Sequence, residues 1–283
     1  MNLLWRAYML RIIVDSGSSI KQEETIIYGI DILPLRVQIG DRSFQDGLDL
    51  TPENLYGYLG KEKDFPKTSL PALDTVEAMV KQYTQGGDDV LVLPISSGIS
   101  GTYQALSMLF ADNPKVLVFD TQMAVGGIRF FVEEAIRHAN APLSVIREKL
   151  EQLLPRIITM AIPDTLDYLL AGGRLSKAER MFGTLLNIKP IIGFRDGRVV
   201  VLAKKRGLKQ SMRFIVNALE AEKADPGFGI IASYTQNRDN VTRLIEMTPP
   251  KYQEQIKIYD DLTPSIACHW GPNAYGFIFV KGT

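Results

Sequence analysis

The chain has 283 residues, and its 32 lysines and arginines are matched by 32 aspartates and glutamates, leaving a formal net charge of zero. That balance argues against a sequence-independent nucleic-acid binder, which needs an excess of Lys and Arg to neutralise phosphates. A composition of 46% hydrophobic and 23% charged residues lies outside the disordered class. One cysteine, Cys268, excludes an internal disulfide, and with two histidines it is too little for a Cys-rich structural zinc site. No metal or cofactor is expected, and the chain reads as cytoplasmic.

No apolar run approaches the ~20 residues that span a bilayer, so no stable membrane insertion is expected. The opening MNLLWRAYML is apolar and carries Arg6, but it lacks a small-residue cleavage site and runs directly into RIIVDSG. It does not read as a signal peptide, and Met9 is an alternative start.

Arg11–Val14 reads as a short buried strand closed by DSGSS. Leu33–Ile39 and a piece around Ser43–Phe44 flank Gly40-Asp41, a hairpin signal. Thr51-Pro52-Glu53 opens a helix, with Thr as N-cap and Pro at the first helical position. KTSLPALD reads as a loop leading to an amphipathic helix with Val76, Met79, Val80 and Tyr83 on one face, ended by Gly86-Gly87. DDVLVLPI is a strand buried on both faces, SSGISG follows it, and a helix runs through Tyr103–Phe110. KVLVFD is another such strand, and Gly126-Gly127 precedes a helix to about Asn140. Strands alternating with helices at this spacing indicate crossover units and a parallel sheet.

Pro142–Leu154 reads as a polar-faced helix bridging to a second half, which begins with the strand RIITMAI. Two short helices interrupted by GGRLS come next. IIGF-RDG-RVVVLA is a hairpin turning at Asp196-Gly197. A helix over Gln210–Ala221, the strand GIIASY, a helix over Asp239–Glu246 and the strand QIKIYD follow. SIACHWGPNAYG-FIFV closes the chain as a short helix or loop and then a strand. The expected class is α/β, with two α/β domains side by side over 1–150 and 151–283 and a mostly parallel sheet in the first. A single large α/β domain is the alternative.

Four segments carry candidate chemistry. In Ser96-Ser97-Gly98-Ile99-Ser100-Gly101 a buried strand gives way to a helix. Ligands of open α/β sheets bind at such carboxyl ends, where helix N–H groups lie unpaired. The segment reads equally as a phosphate or carboxylate cradle and as an ordinary strand-to-helix loop. It is neither a Walker A loop nor a nucleophile elbow, so it offers an anion site without an evident catalyst. Lys67-Thr68-Ser69 before a proline reads first as a helix cap. Gly172-Gly173-Arg174 releases an arginine suited to a bidentate carboxylate or phosphate, on a ligand or a partner. Cys268-His269-Trp270-Gly271 turns sharply and lets His269 face a cleft, whereas adjacency alone makes no reactive Cys–His pair. His138, near a helix end, reads as a surface residue.

Taken in order, VDSGSS, KTSLPA, ISSGISGTYQ, LLAGGRLS with LLNIKPIIGFRDG, and HWGPNAYG resemble the DegV family from about Arg11 to the end. The resemblance implies two α/β domains with a fatty acid held in a tunnel between them. It further implies a fatty-acid-binding subunit of bacterial fatty acid kinase, without catalysis of its own. Such a subunit presents the acyl carboxylate to a separate ATP-binding kinase subunit, which makes an acyl phosphate for phospholipid synthesis. The expected ligand is a long-chain acid such as palmitate, stearate or oleate. Carried onto this sequence, the family pattern assigns the carboxylate to Thr68, Ser97, Ser96 and His269, with Ser69 and Gly98 as secondary contacts and Arg174 at the kinase partner. Leu70, Ala72, Trp270 and Asn273 depart from that pattern, and Trp270 bears on carboxylate access or chain selection. The alternative is a self-sufficient enzyme acting on a small phosphorylated or carboxylated substrate. The energetics suit a lipid, because burial gains about 0.8 kcal/mol per CH₂, while a carboxylate carried in with the tail needs charge-assisted donors.

Overall fold

The computed structural model describes residues 9–59, 65–176 and 187–283. Strands β1 (Leu10–Asp15), β2 (Ile30–Leu33), β6 (Asp89–Leu93) and β7 (Val116–Val118) form a parallel sheet in the order β2-β1-β6-β7. Strands β3 (Arg36–Ile39), β4 (Arg42–Gln45) and β5 (Lys67–Ser69) make a small antiparallel sheet in the order β4-β3-β5. The remaining strands are β8 (Ile157–Ile162), β9 (Ile188–Arg195), β10 (Arg198–Arg206), β11 (Ile230–Tyr234), β12 (Ile256–Asp261) and β13 (Tyr275–Val280). They form a mixed sheet, β10-β9-β8-β13-β11-β12, whose one parallel pair is β11 with β12.

Alternation along the strands divides the core. Ile12, Val14, Leu91 and Leu93 face one apolar cluster. Their neighbours Ile13, Val90 and Val92 face another, with Val76, Val80 and Leu106 from the flanking helices Leu73–Gln85 and Thr102–Leu109. In the mixed sheet Ile231, Ile278 and Val280 join the first cluster. Phe277, Phe279 and Ile230 instead meet Ile215, Leu219 and Leu244 on the outer helices. Period-two alternation thus gives each sheet an inner and an outer face. The helices Gly127–Arg137 and Leu143–Leu153 add Phe131, Val132, Ile146 and Leu150 to the inner cluster. The apolar interior is therefore continuous from Ile12 to Val280. The parallel sheet draws only on 10–118 and the mixed sheet only on 157–280.

Two local expectations need correction. The stretch expected as one strand over Leu33–Ile39 is two, because β2 ends at Leu33 and β3 begins at Arg36 in a different sheet. Pro34 lies between them, and a proline has no N–H to give a ladder. Lys67–Ser69, expected in a loop, is an edge strand on β3. Thr51 caps its helix as expected, accepting the Asn54 N–H, and the hairpin turns at Asp196-Gly197, both with positive φ. The second short helix expected after GGRLS falls outside the described residues.

Candidate functional site

Three segments converge between the sheets: β5, the loop after β6, and the helix Pro264–Trp270. In β5 the half-buried Thr68 stands between exposed Lys67 and Ser69, and it is paired with Val37. Its Oγ1 lies 2.9 Å from His269 Nε2. The helix carrying His269 is tied at its start, where Asp46 Oδ1 accepts the Ser265 N–H at 3.1 Å.

Successive helical residues turn by about 100°, so the last three side chains of this helix separate. Cys268 packs with Val37, Ile39, Leu50 and Leu55. His269 meets Thr68, and Trp270 enters the inner cluster. Cys268 donates its S–H to the Ser265 carbonyl, and burial pushes the thiol well above its ordinary range. It is a packing residue rather than a nucleophile.

Arg174 completes the polar group. It follows the helix Asp167–Ala171 and the turn at Gly172-Gly173. Its Nε donates to the Ile99 carbonyl at 3.0 Å, Nη1 donates to the Gly172 carbonyl, and Nη2 lies 3.5 Å from Thr68 Oγ1. These partners are neutral, and none is a carboxylate. Burial lowers the guanidinium pKa, the direction expected when a cation loses water, and none of the described residues supplies it a carboxylate partner. Gly172 is required by proximity, since a Cβ there would stand 2.3 Å from His269 Nδ1. Burial, reinforced by the Arg174 charge, pushes His269 down to about 3, so its ring is neutral near pH 7. A hydroxyl, a neutral imidazole and a cation thus share one corner, where an anion gains charge-assisted hydrogen bonds.

That corner opens on a cavity of about 240 Å³. Thr68, Ser69, Ser100, Arg174, Ser265 and His269 form its polar part, and Leu35, Ile95, Leu169, Phe194, Val199 and Trp270 form much of its apolar wall. Both halves of the chain contribute. A further cavity, about 290 Å³, lies against Thr263 and Pro264 and is bordered by Lys21, Glu23, Asp46 and Asp261. None of the candidates taken from the sequence reaches it.

The serines of the loop after β6 have different surroundings. Ser96 Oγ donates to the Gly197 carbonyl at 2.6 Å. Ser97 donates its hydroxyl to Asp120 Oδ2 at 2.5 Å and its N–H to Oδ1 at 3.0 Å. The Gly98 N–H goes to Ser96 Oγ, and those of Ile99 and Ser100 go to the Ser96 carbonyl. The loop is therefore no open cradle of N–H groups, and Ser96, Ser97 and Gly98 are absent from the cavity lining. Gly98 instead admits the β9–β10 turn, because a Cβ there would meet the Gly197 carbonyl oxygen at 2.4 Å. The serine of this loop that borders the cavity is Ser100, whose Oγ lies 2.9 Å from Thr102 Oγ1 and accepts the Thr102 N–H. It belongs to the segment read from the sequence as an anion cradle, whereas Ser265, next to the Pro264 that opens a helix, was missed. Arg174, expected at a protein partner, lies on the cavity wall. His138 is at the surface beside Glu134.

A family model described as "Uncharacterised protein, DegV family" matches residues 9–282. Among curated proteins, a DegV domain-containing protein of Clostridium acetobutylicum is 30% identical, covering 95% of this chain and 97% of its own. Another, from Caldanaerobacter subterraneus subsp. tengcongensis, is 29% identical over 96% and 99%. Among solved structures, that of a DegV family protein from Thermus thermophilus described for its fatty acid binding superposes with a TM-score of 0.86 at 28% identity, covering 97% of this chain and all of that one. A fatty acid binding DegV family protein from Streptococcus agalactiae gives 0.88 at 25% identity, over 98% and 100%.

Proposed function

The chain belongs to the DegV family, and on that premise we propose that it binds a long-chain fatty acid such as palmitate, stearate or oleate, holding the tail between the sheets and the carboxylate at Arg174, Thr68 and His269. The observation that carries this reading is the Arg174 guanidinium, half-buried, with neutral partners only among the described residues, and 3.5 Å from the Thr68 hydroxyl at the corner of an apolar cavity. The fatty acid binding described for the Thermus and Streptococcus proteins supports it. In this reading Arg174 balances the carboxylate charge, Thr68 donates its O–H to one oxygen, and His269 Nε2 orients that hydroxyl. Ser100 and Ser265 lie within the same polar part and supply further donors. Ser96 and Ser97, assigned to the carboxylate by family pattern, hold the loop that carries Ser100.

The finer proposal is that the bound acid is a substrate for a separate ATP-dependent kinase subunit. A carboxylate oxygen attacks the γ-phosphorus of ATP, the bond to the ADP oxygen breaks, and an acyl phosphate and ADP result. The sequence has no Walker A loop to hold the nucleotide, which favours a second subunit. The test is titration of delipidated protein with oleate, followed by incubation with ATP and hydroxylamine. Saturable binding, with hydroxamate formed only after a kinase subunit is added, is the expected result. Absence of binding overturns the lipid reading, and hydroxamate from this chain alone overturns the division of labour.

A further inference from the structure

Trp270 is a wall shared by two voids. On one side lies the 240 Å³ cavity that carries Thr68, Arg174 and His269. The other is a smaller void of about 20 Å³, bordered by Val125, Leu262 and Ile278 of the inner cluster and by Met160. The two voids also touch adjacent residues, Ala124 and Val125, so they are neighbours. The indole between them is 5% exposed and packed in the inner cluster. Tyr168 lies against Gly271, where a Cβ would meet its ring at 2.4 Å, so the backbone that aims the indole is tightly confined. A volume of 240 Å³ is also below the roughly 300–1,000 Å³ usual for ligand pockets.

We infer that Trp270 sets the length of acyl chain the protein accepts, ending the tail at the indole and closing off the space beyond it. This rests on the fatty-acid reading above. With the indole in place, an 18-carbon acid must displace it or leave its last methylenes poorly packed, whereas a 14-carbon acid meets the wall less. Removing the indole adds its own volume to the void behind it and joins the two spaces.

The test measures dissociation constants of tetradecanoate and octadecanoate for delipidated wild-type protein, Trp270→Leu and Trp270→Ala. Trp270→Leu keeps an apolar group at the helix end, so the comparison survives if the alanine variant folds poorly. Wild type is expected to bind both acids, the 18-carbon one at the cost of displacing the indole and so about tenfold more weakly than the 14-carbon one. The leucine variant should reduce that ratio, and the alanine variant should abolish or reverse it. A second readout uses Trp5→Phe, which leaves Trp270 as the only indole of the two in the chain. Its emission is expected to shift with the 18-carbon acid and less with the 14-carbon one. An unchanged preference in both Trp270 variants overturns the inference and leaves fatty-acid binding standing. If neither acid binds wild type, the fatty-acid reading falls and this inference falls with it.

Discussion

Two hydroxyl-bearing segments lie beside the same cavity and serve different ends. In Lys67–Ser69 the edge-strand backbone is paired with β3, and Thr68 is left with its hydroxyl against His269 and near Arg174. In Ser96–Gly101 the chain turns from strand to helix, and its own N–H groups and the neighbouring hairpin need partners. Ser96 and Ser97 supply or secure those partners through Gly197 and Asp120. A buried polar group is costly unless hydrogen-bonded, so an irregular loop engages its serines internally. A strand whose ladder satisfies the backbone leaves its side chain available to a ligand.

The contrast breaks most readily at Arg174. Arg174→Gln removes the cation, and a charge-assisted hydrogen bond contributes about 1.5–3 kcal/mol, so the acid is expected to bind about 10- to 100-fold more weakly in a titration with oleate. Thr68→Val preserves shape and deletes the hydroxyl. A neutral hydrogen bond contributes about 0.5–1.5 kcal/mol, and the expected loss is about 3- to 10-fold in the same titration. Ser97→Ala sharpens the comparison from the other side. It should lower unfolding free energy by about 1–2 kcal/mol in urea, since Asp120 loses a donor, while affinity stays within about twofold. A fall in affinity as large as that of Thr68→Val, with stability unchanged, would reverse the assignment of the two segments.

A separate expectation concerns pH. His269 is held to about 3 in the folded protein, against an ordinary value of 6.5. The unfolded chain therefore takes up its proton first, and this residue's contribution to stability is lost as pH falls from about 6.5 toward 3. Asp15 has the opposite sign. Burial raises its carboxyl to about 7 while it accepts the Gly17 and Ile95 N–H groups, so its contribution declines as pH rises from about 4 through 7. His269→Gln is expected to flatten the acid side of the stability profile measured by urea unfolding. Acid affinity should stay level between pH 6 and 8 as far as His269 is concerned, because the ring is neutral throughout.

Much of the fold was legible because its strands advertise themselves. The apolar runs at Arg11–Val14 and Leu91–Leu93, the Asp196-Gly197 turn and the Thr51-Pro52 helix start each carry local physics that the folded chain keeps. β5 was not legible, because three residues with no apolar period become a strand only when β3 offers an edge. For the site, the family pattern pointed to Thr68 and His269 for the carboxylate and to Arg174 for a partner, and the structure puts the three side chains side by side. That Ser96 and Ser97 are engaged by the protein itself was not legible, for a physical reason. A sequence shows that a loop is rich in hydroxyls but not which of them the backbone engages, and that depended on Asp120 and on Gly197, a hundred residues downstream.

The central claim is that the corner formed by Arg174, Thr68 and His269 holds an acidic head whose tail lies between the sheets. Native mass spectrometry of protein purified from bacteria without detergent tests it most directly. The account predicts a complex heavier by one fatty acid, released on organic extraction and greatly depleted in an Arg174→Gln, Thr68→Val double variant. A bare polypeptide mass that stays unchanged after oleate is added, or lipid retained equally by the double variant, would contradict it.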